Sequence, residues 1–237
     1  GTIPLELATK LRASFLIIGP MLARYGKVKI PLPGGCQIGA RPIDLHLKGF
    51  SEMGAKIKQG HGYVELKCDK LQPAKIYLDF PSVGATENLM IAASLINGES
   101  ILENAATEPE ITNLAEYLHK MGAEIEGAGT DTIRINGRNV LKSAEHTIIP
   151  DRIEAGTFMA ISAICKGRLK INNVIPDHLK PVTAKLKEMG ITVNESENSI
   201  EVIPCEKFKA VDIKTLPYPG FPTDMQAQFM SLMSVSD

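Results

Sequence analysis

The chain repeats one pattern with a period of 68 residues. Three segments read alike: DLHLKGFSEMGAKIKQGHGYVEL, EITNLAEYLHKMGAEIEGAGTDTIRI and HLKPVTAKLKEMGITVNESENSIEV. Their Met-Gly glycines are Gly54, Gly122 and Gly190, each 68 residues after the one before. A glycine there is typical of a helix C-terminus that needs a left-handed residue. The alternation from Thr132 to Asn136 indicates a strand buried on one face.

A second pattern precedes each of these segments. It reads as a helix of small and apolar residues, a glycine and a strand: RASFLIIGPMLARYGKVKI, TENLMIAASLINGESILEN and EAGTFMAISAICKGRLKIN. Apolar residues on nearly every side predict that these helices are buried. The complete unit is therefore helix, strand, helix, strand, strand, or a circular shift of that order. Units of this size bury their apolar faces against one another, which predicts an α/β fold.

Composition sets limits on the function. The 237 residues are 44% hydrophobic and 22% charged with a net charge of −1, which is typical of a core-forming chain and does not favour nucleic acid or an anionic membrane as a partner. We find no apolar run that would span a bilayer and no signal peptide. No CxxC pair and no histidine pair at ligand spacing occurs, so the sequence predicts neither a metal site nor a cofactor. A reducing cytoplasm is the expected compartment.

The last segment, FPTDMQAQFMSLMSVSD, begins a fourth unit and stops inside its first helix. A helix of this apolar kind rarely closes a protein without its strand partner. We therefore expect the chain to be a fragment that is cut within a repeat, and the same reasoning applies to its start at LELATKLRAS.

The loop PLPGGCQIGARP places a thiol, Cys36, among three glycines, with Arg41 five residues away. Reactive cysteines occupy accessible, electropositive surroundings because the thiolate is the reactive form. The alternative is a small buried hydrophobe in a tight turn. Cys165, by contrast, falls in the helix AISAICKG and is interpreted as a buried structural residue.

Three further segments carry candidate polar groups. Asp44 begins a helix just after Arg41, where a guanidinium and a helix N-terminus together could hold an anion. The stretch PSVGATEN offers backbone and hydroxyl donors to phosphates, although an ordinary N-cap explains its serine equally well. Asp224 is either an N-cap or a carboxylate placed for proton transfer.

Several long motifs together resemble a known family. KLRAS, LPGGCQIGARPIDLHLKG, PSVGATEN, NAATEPEI, IPDRIEAGTF and FPTDMQAQF occur in the order found in the bacterial UDP-N-acetylglucosamine 1-carboxyvinyltransferases, from about Leu7 to the end. The resemblance implies two domains, each an inside-out α/β barrel of three repeat units. Residues 1–149 would hold two units of the first domain. Residues 150–237 would hold one unit of the second and the start of another, so both domains would be incomplete.

The resemblance also implies a reaction. Enolpyruvate passes from phosphoenolpyruvate to the 3′-hydroxyl of UDP-N-acetylglucosamine, phosphate leaves, and the product enters peptidoglycan synthesis. Cys36 would be the general acid and product-release residue that fosfomycin alkylates, and Asp224 the base near the sugar hydroxyl. Arg41 would contact both substrates and Arg12 phosphoenolpyruvate.

The remaining implied contacts concern the nucleotide. The wall around the uracil would be formed by Pro42, Ile43, Asp44 and Leu45. The diphosphate-binding turn would be formed by Ser82, Val83 and Gly84. Some members of the family carry lysine where this chain has Phe80, so a lysine contact to the nucleotide would be lost or replaced here.

Three alternatives stay open. The sister enzyme moves the same group to shikimate 3-phosphate, but it does not use a GGC loop. A folded fragment without turnover is the second alternative, and such a fragment is expected to self-associate through the faces that truncation exposes. A cysteine hydrolase would need His46 or His61 against Cys36, and nothing in the sequence brings them together.

Overall fold

The computed structural model describes residues 5–8, 10–32 and 43–237. The chain forms two compact units, Gly1–Thr147 and Ile148–Asp237. Each unit is described by itself.

The first unit contains two of the repeats. Its helices are α1 (Leu5–Ala8), the 3-10 helix η1 (Arg12–Ile17), α2 (Ile18–Tyr25), α3 (Asp44–Glu52), α4 (Val83–Ala93) and α5 (Pro109–Met121). Its strands are β1 (Lys27–Pro31), β2 (Lys56–Gly60), β3 (Tyr63–Lys67), β4 (Lys75–Tyr77), β5 (Gly98–Glu103), β6 (Glu124–Glu126) and β7 (Thr132–Gly137).

The second unit contains the third repeat. Its helices are α6 (Arg152–Ile164), the 3-10 helix η2 (Pro176–Leu179), α7 (Lys180–Glu188), the 3-10 helix η3 (Thr223–Met225) and α8 (Gln226–Met233). Its strands are β8 (Leu169–Asn172), β9 (Thr192–Glu195) and β10 (Ser199–Ile203). The order helix, strand, helix, strand, strand is confirmed in all three repeats.

Each repeat builds its own small sheet. The strand orders are β1-β3-β2, β5-β7-β6 and β8-β10-β9, and every neighbouring pair among them is antiparallel. The last strand of a repeat always lies in the middle, between its hairpin partner and the strand that follows the first helix. The second sheet gains β4 as a parallel edge strand beside β5.

The Met-Gly glycines end helices as predicted. Gly54, Gly122 and Gly190 have φ values of +92°, +112° and +96°, a backbone conformation that favours glycine. A methyl group built on any of them would meet no atom within 4 Å. Glycine is therefore favoured at these positions by the backbone conformation and not by a lack of space.

Helix α4 is central to the core of the first unit. Seven of its 11 residues are buried, and it packs against α2, α3 and α5. Two glycines allow neighbouring helices to approach α4 closely. Gly19 of α2 lies against the carbonyl of Asn88, and Gly49 of α3 lies against Leu89. The helix predicted to be buried on nearly every side is buried here as expected.

Helix α6 departs from the same prediction. Its inner face packs in the core of the second unit, but Phe158 is 46% exposed and Ile161 44% exposed on the outer face. Cys165 ends this helix and is exposed, so its interpretation as a buried structural residue is wrong. The small sheet and α8 of its own unit cover only one side of α6. No helix in the described part of the chain is long and apolar enough to cross a membrane.

Candidate functional site

Four of the predicted site residues fall wholly or partly outside the described structure. Cys36, Arg41 and Pro42 lie outside the described residues. Arg12 is the first residue of η1, and its backbone alone is described. The candidate site is therefore built from the segments that flank the Cys36 loop and from those that pack against them.

The N-terminus of α3 carries three predicted residues. Ile43 stands at the N-cap, and Asp44 is an exposed residue in the first turn. Ile43 and Leu45 are half-buried and pack against the core of the unit. A carboxylate in the first turn interacts favourably with the helix dipole, so Asp44 has a structural explanation as well as a functional one.

The N-terminus of α4 carries three more predicted residues. Ser82 is the N-cap, and its Oγ accepts a hydrogen bond from the backbone N–H of Ala85 at 3.4 Å. Val83 packs against the core. A methyl group built on Gly84 would lie 3.5 Å from Cε1 and 3.6 Å from Nε2 of His46, the third residue of α3. The first turns of α3 and α4 are thus adjacent.

One buried side chain joins the segments that carry these residues. Asn88 of α4 is fully buried, and its Oδ1 accepts a hydrogen bond from Gly19 N at 2.7 Å. Its Nδ2 donates to the carbonyl of Phe15 at 3.0 Å and lies 3.0 Å from His46 Nδ1. The ring of Phe15 meets the His46 ring edge-on, with centroids 5.1 Å apart. The segments η1–α2, α3 and α4 are therefore locked together next to their N-terminal turns.

Helix α4 also holds the NAATEPEI motif. The backbone N–H of Ala106 donates to Thr86 Oγ1 at 3.0 Å, and Thr86 is fully buried. Burial, together with the negative charges of Glu110 and Glu108, raises the pKa of Glu87 to about 7. A carboxyl that titrates near neutral pH therefore lies one residue from Asn88.

A cation lies near the start of α4. Lys48 Nζ of α3 is 2.9 Å from Asp79 Oδ1 and lies 5.8 Å from the ring centroid of Tyr77. Phe80 follows Asp79 and is 59% exposed. Lys48 is thus ion-paired with the residue that directly precedes Phe80.

Asp224 belongs to the second unit. It is the second residue of η3 and is exposed, and Pro222, not Asp224, stands at the N-cap. Phe221 and Phe229 are buried and contact each other edge-on, with centroids 4.9 Å apart. This aromatic contact fixes the segment before Asp224 onto α8.

The comparisons with known proteins bear on the whole chain. The sequence model described as EPSP synthase (3-phosphoshikimate 1-carboxyvinyltransferase) matches residues 2–237. The chain belongs to the EPSP synthase family.

Curated relatives are much more similar to this chain in sequence than the proteins with solved structures are. UDP-N-acetylglucosamine 1-carboxyvinyltransferase 1 from Caldanaerobacter subterraneus subsp. tengcongensis is 62% identical over 233 residues, 98% of this chain and 56% of the relative. UDP-N-acetylglucosamine 1-carboxyvinyltransferase 2 from Clostridium tetani is 60% identical over 229 residues, 97% of this chain and 55% of the relative. The chain spans about half the length of the curated relatives it matches.

Solved structures establish the fold. The enolpyruvyl transferase NikO from Streptomyces tendae has a TM-score of 0.83 at 22% identity and covers all of this chain and 57% of that one. EPSP synthase from Acinetobacter baumannii has a TM-score of 0.58 at 20% identity and covers 84% of this chain and 47% of that one. The expected enolpyruvyl transferase fold of the α/β class is confirmed.

The arrangement can hold an anion. The first N–H groups of a helix have no partner within the helix, and they carry partial positive charge. Two such termini, α3 and α4, are neighbours here, and Lys48 lies on the same helix as His46. The sequence indicated both termini, missed Asn88, and suggested His46 only as a partner for Cys36. The polar residues Thr86, Glu87 and Asn88 at the start of an otherwise apolar helix were the available signal.

Proposed function

We propose that the whole protein transfers enolpyruvate from phosphoenolpyruvate to the 3′-hydroxyl of UDP-N-acetylglucosamine with release of phosphate. This reaction would take place in the cytoplasm as the first committed step of peptidoglycan synthesis. The observation that carries the proposal is the pair of adjacent first turns at α3 and α4. They bear the last three residues of the RPIDL motif and the PSVG motif. The chain is 62% identical to the relative named UDP-N-acetylglucosamine 1-carboxyvinyltransferase 1.

The proposed roles follow the two units. In the first unit, the Ser82–Gly84 turn binds the diphosphate, and residues 42–45 form the wall beside the uracil. Arg12 and Arg41 neutralise phosphate charge, and Cys36 acts as general acid. In the second unit, Asp224 is the base for the sugar hydroxyl, a role consistent with its exposed position.

The exposed face of α6 leads to a proposal about assembly. Phe158, Ile161 and Met230 are exposed large apolar residues on the helices of the second unit. Exposed apolar surface of this kind favours association. We propose that the isolated chain self-associates through this face.

Ligand-dependent stability tests the substrate. A ligand that binds only the folded state raises stability by about 2.7 kcal/mol at a free concentration 100 times Kd. We expect UDP-N-acetylglucosamine to raise the melting temperature of the 237-residue chain and shikimate 3-phosphate to leave it unchanged. A rise with shikimate 3-phosphate alone would assign the sister reaction instead. A cooperative melt that neither compound shifts would contradict binding by these two turns.

A negative charge introduced at the α4 turn tests the place of binding. Gly84→Asp is expected to weaken UDP-N-acetylglucosamine binding by about tenfold or more, because the new carboxylate faces the diphosphate oxygens. A side chain at Gly84 meets His46 only at ordinary contact distance, and Asp favours a helix N-terminus, so folding should persist. Calorimetric titration measures the change in Kd.

The matched control for this variant is Gly167→Asp. Gly167 is exposed, and a methyl group built on it meets nothing within 4 Å. The control carries the same change of charge in the second unit and should bind as the unaltered chain does. Equal affinity of both variants for the nucleotide sugar would remove the Ser82–Gly84 turn from the binding site.

A further inference from the structure

The amide of Asn88 meets three partners, and both of its N–H donors are engaged. An asparagine side chain has one carbonyl oxygen with two lone pairs and two N–H donors. Here the oxygen accepts from Gly19 N, one N–H donates to the Phe15 carbonyl, and Nδ2 also lies 3.0 Å from His46 Nδ1. Because Asn88 is fully buried, no water competes for these positions.

Two backbone groups fix which end of the amide is which. The N–H of Gly19 can only donate, so the atom 2.7 Å from it must be the oxygen of Asn88. The carbonyl of Phe15 can only accept, so the atom 3.0 Å from it must be the nitrogen. Flipping the amide would break both bonds, and this assignment therefore does not depend on any property of His46.

The polarity of the third contact follows from the other two. The second N–H of Asn88 faces His46 Nδ1, so this ring nitrogen must present its lone pair. In a neutral imidazole one nitrogen carries the hydrogen and the other accepts. His46 therefore carries its hydrogen on Nε2. An imidazolium would set a hydrogen on Nδ1 against the N–H of Asn88, and so the contact favours the neutral ring.

The Nε2 edge of the ring lies at the α4 turn. A methyl group on Gly84 would be 3.6 Å from Nε2 and 3.5 Å from Cε1, so this edge borders the second residue of α4. The edge-on contact with Phe15, at an interplanar angle of 88°, holds the plane of the ring. Phe15 thus holds the plane of the His46 ring, and Asn88 determines which ring nitrogen carries the hydrogen.

We propose that Asn88 is a positioning residue: it holds His46 as the Nε2–H tautomer, so that a neutral donor faces the Ser82–Gly84 turn and hydrogen-bonds an oxygen of the bound diphosphate. The proposal rests on the proposed function for the identity of the ligand. It differs from a structural role for Asn88 because a merely structural tie would not specify the tautomer of His46 or its response to the nucleotide.

The tautomer can be read in the unaltered chain. In the ¹⁵N NMR spectrum of the histidine-labelled protein, at a pH where histidine is neutral, we expect His46 to show a hydrogen-free Nδ1 and a protonated Nε2. Addition of UDP-N-acetylglucosamine should shift the Nε2 resonance of His46. A hydrogen on Nδ1 in the unaltered chain would overturn the proposal without any variant being made.

An isosteric substitution reverses the polarity. Asn88→Asp cannot donate to His46, so Nδ1 should become protonated. At a pH where the ring of this variant is still neutral, Nε2 should then lose its hydrogen, and nucleotide affinity should fall by about tenfold. The matched control is Asn113→Asp, because Asn113 Nδ2 lies 2.9 Å from His146 Nε2 in the same unit. This control should change the His146 spectrum alone and leave nucleotide affinity unchanged.

The outcomes separate the proposal from the proposed function. A raised melting temperature with UDP-N-acetylglucosamine, but an unmoved Nε2 resonance of His46, would overturn the contact to the ligand and leave the function standing. If UDP-N-acetylglucosamine changes neither the melting temperature nor the Nε2 resonance, the nucleotide is rejected as the ligand of both the proposed function and this proposal. An Asn88→Asp chain that keeps a hydrogen-free Nδ1 would show that Asn88 does not set the tautomer.

Discussion

Gly19→Ala is expected to destabilise the first unit by about 3 kcal/mol. A methyl group on Gly19 would overlap the backbone oxygen of Asn88 and would lie 2.6 Å from its Oδ1. Backbone of a buried helix cannot yield as the end of a flexible side chain can, so α2 and α4 must move apart. The same movement stretches the 2.7 Å hydrogen bond from Gly19 N to Asn88 Oδ1, which holds the candidate site together.

Urea unfolding measures this effect. The chain has no tryptophan, and four of its five tyrosines lie in the first unit, so tyrosine fluorescence reports mainly on that unit. Gly167→Ala is the matched control, because Gly167 has open space around it and lacks a positive φ. The control should be neutral or slightly stabilising. An unchanged urea midpoint for Gly19→Ala would show that α2 and α4 do not approach as closely as described.

The fold was largely accessible from the sequence because the repeat supplies three independent copies of one pattern. The left-handed glycines and the alternation of Ile133 and Ile135 into the core follow from local physics alone. The exposed face of α6 could not be predicted in this way, since the burial of a helix depends on which other segments cover it. Strand β4 was also missed, because three residues at a sheet edge leave no period to detect.

The candidate site was accessible only in part. The two helix N-termini are visible locally, because Asp44 and Ser82 are typical of first turns and caps. The hydrogen-bond network of Asn88 is not visible locally, because its partners lie 69, 73 and 42 residues away along the chain. Such contacts are created by packing, and a single sequence carries no local sign of which buried polar residue will meet which partner.

Glu87 makes the stability of the first unit depend on pH near neutrality. Burial is the main cause that raises its pKa from 4.5 to about 7, and the charges of Glu110 and then Glu108 add to it. The folded chain therefore binds this proton more tightly than the unfolded chain does. The free energy of unfolding should fall as the pH rises from 4.5 through 7, and the stabilisation is complete only below that window.

The expected magnitude follows from the shift. Each pKa unit corresponds to 1.36 kcal/mol, so ionised Glu87 costs the folded state about 3 kcal/mol at most above pH 7. Glu87→Gln resembles the protonated carboxyl at every pH. We therefore expect this variant to be more stable than the unaltered chain by up to about 3 kcal/mol at pH 8 and equally stable at about pH 4.

The difference between variant and unaltered chain isolates Glu87 from the other titrating groups. Urea midpoints measured from about pH 4 to 8 should separate progressively as Glu87 ionises in the unaltered chain. Glu116→Gln on α5 is the matched control, because Glu116 is exposed and its replacement should leave the two curves parallel and nearly coincident. A Glu87→Gln curve that also coincides with the unaltered chain at pH 8 would mean that water reaches this carboxyl. In that case α4 would be less tightly enclosed beside Asn88 than the packing indicates.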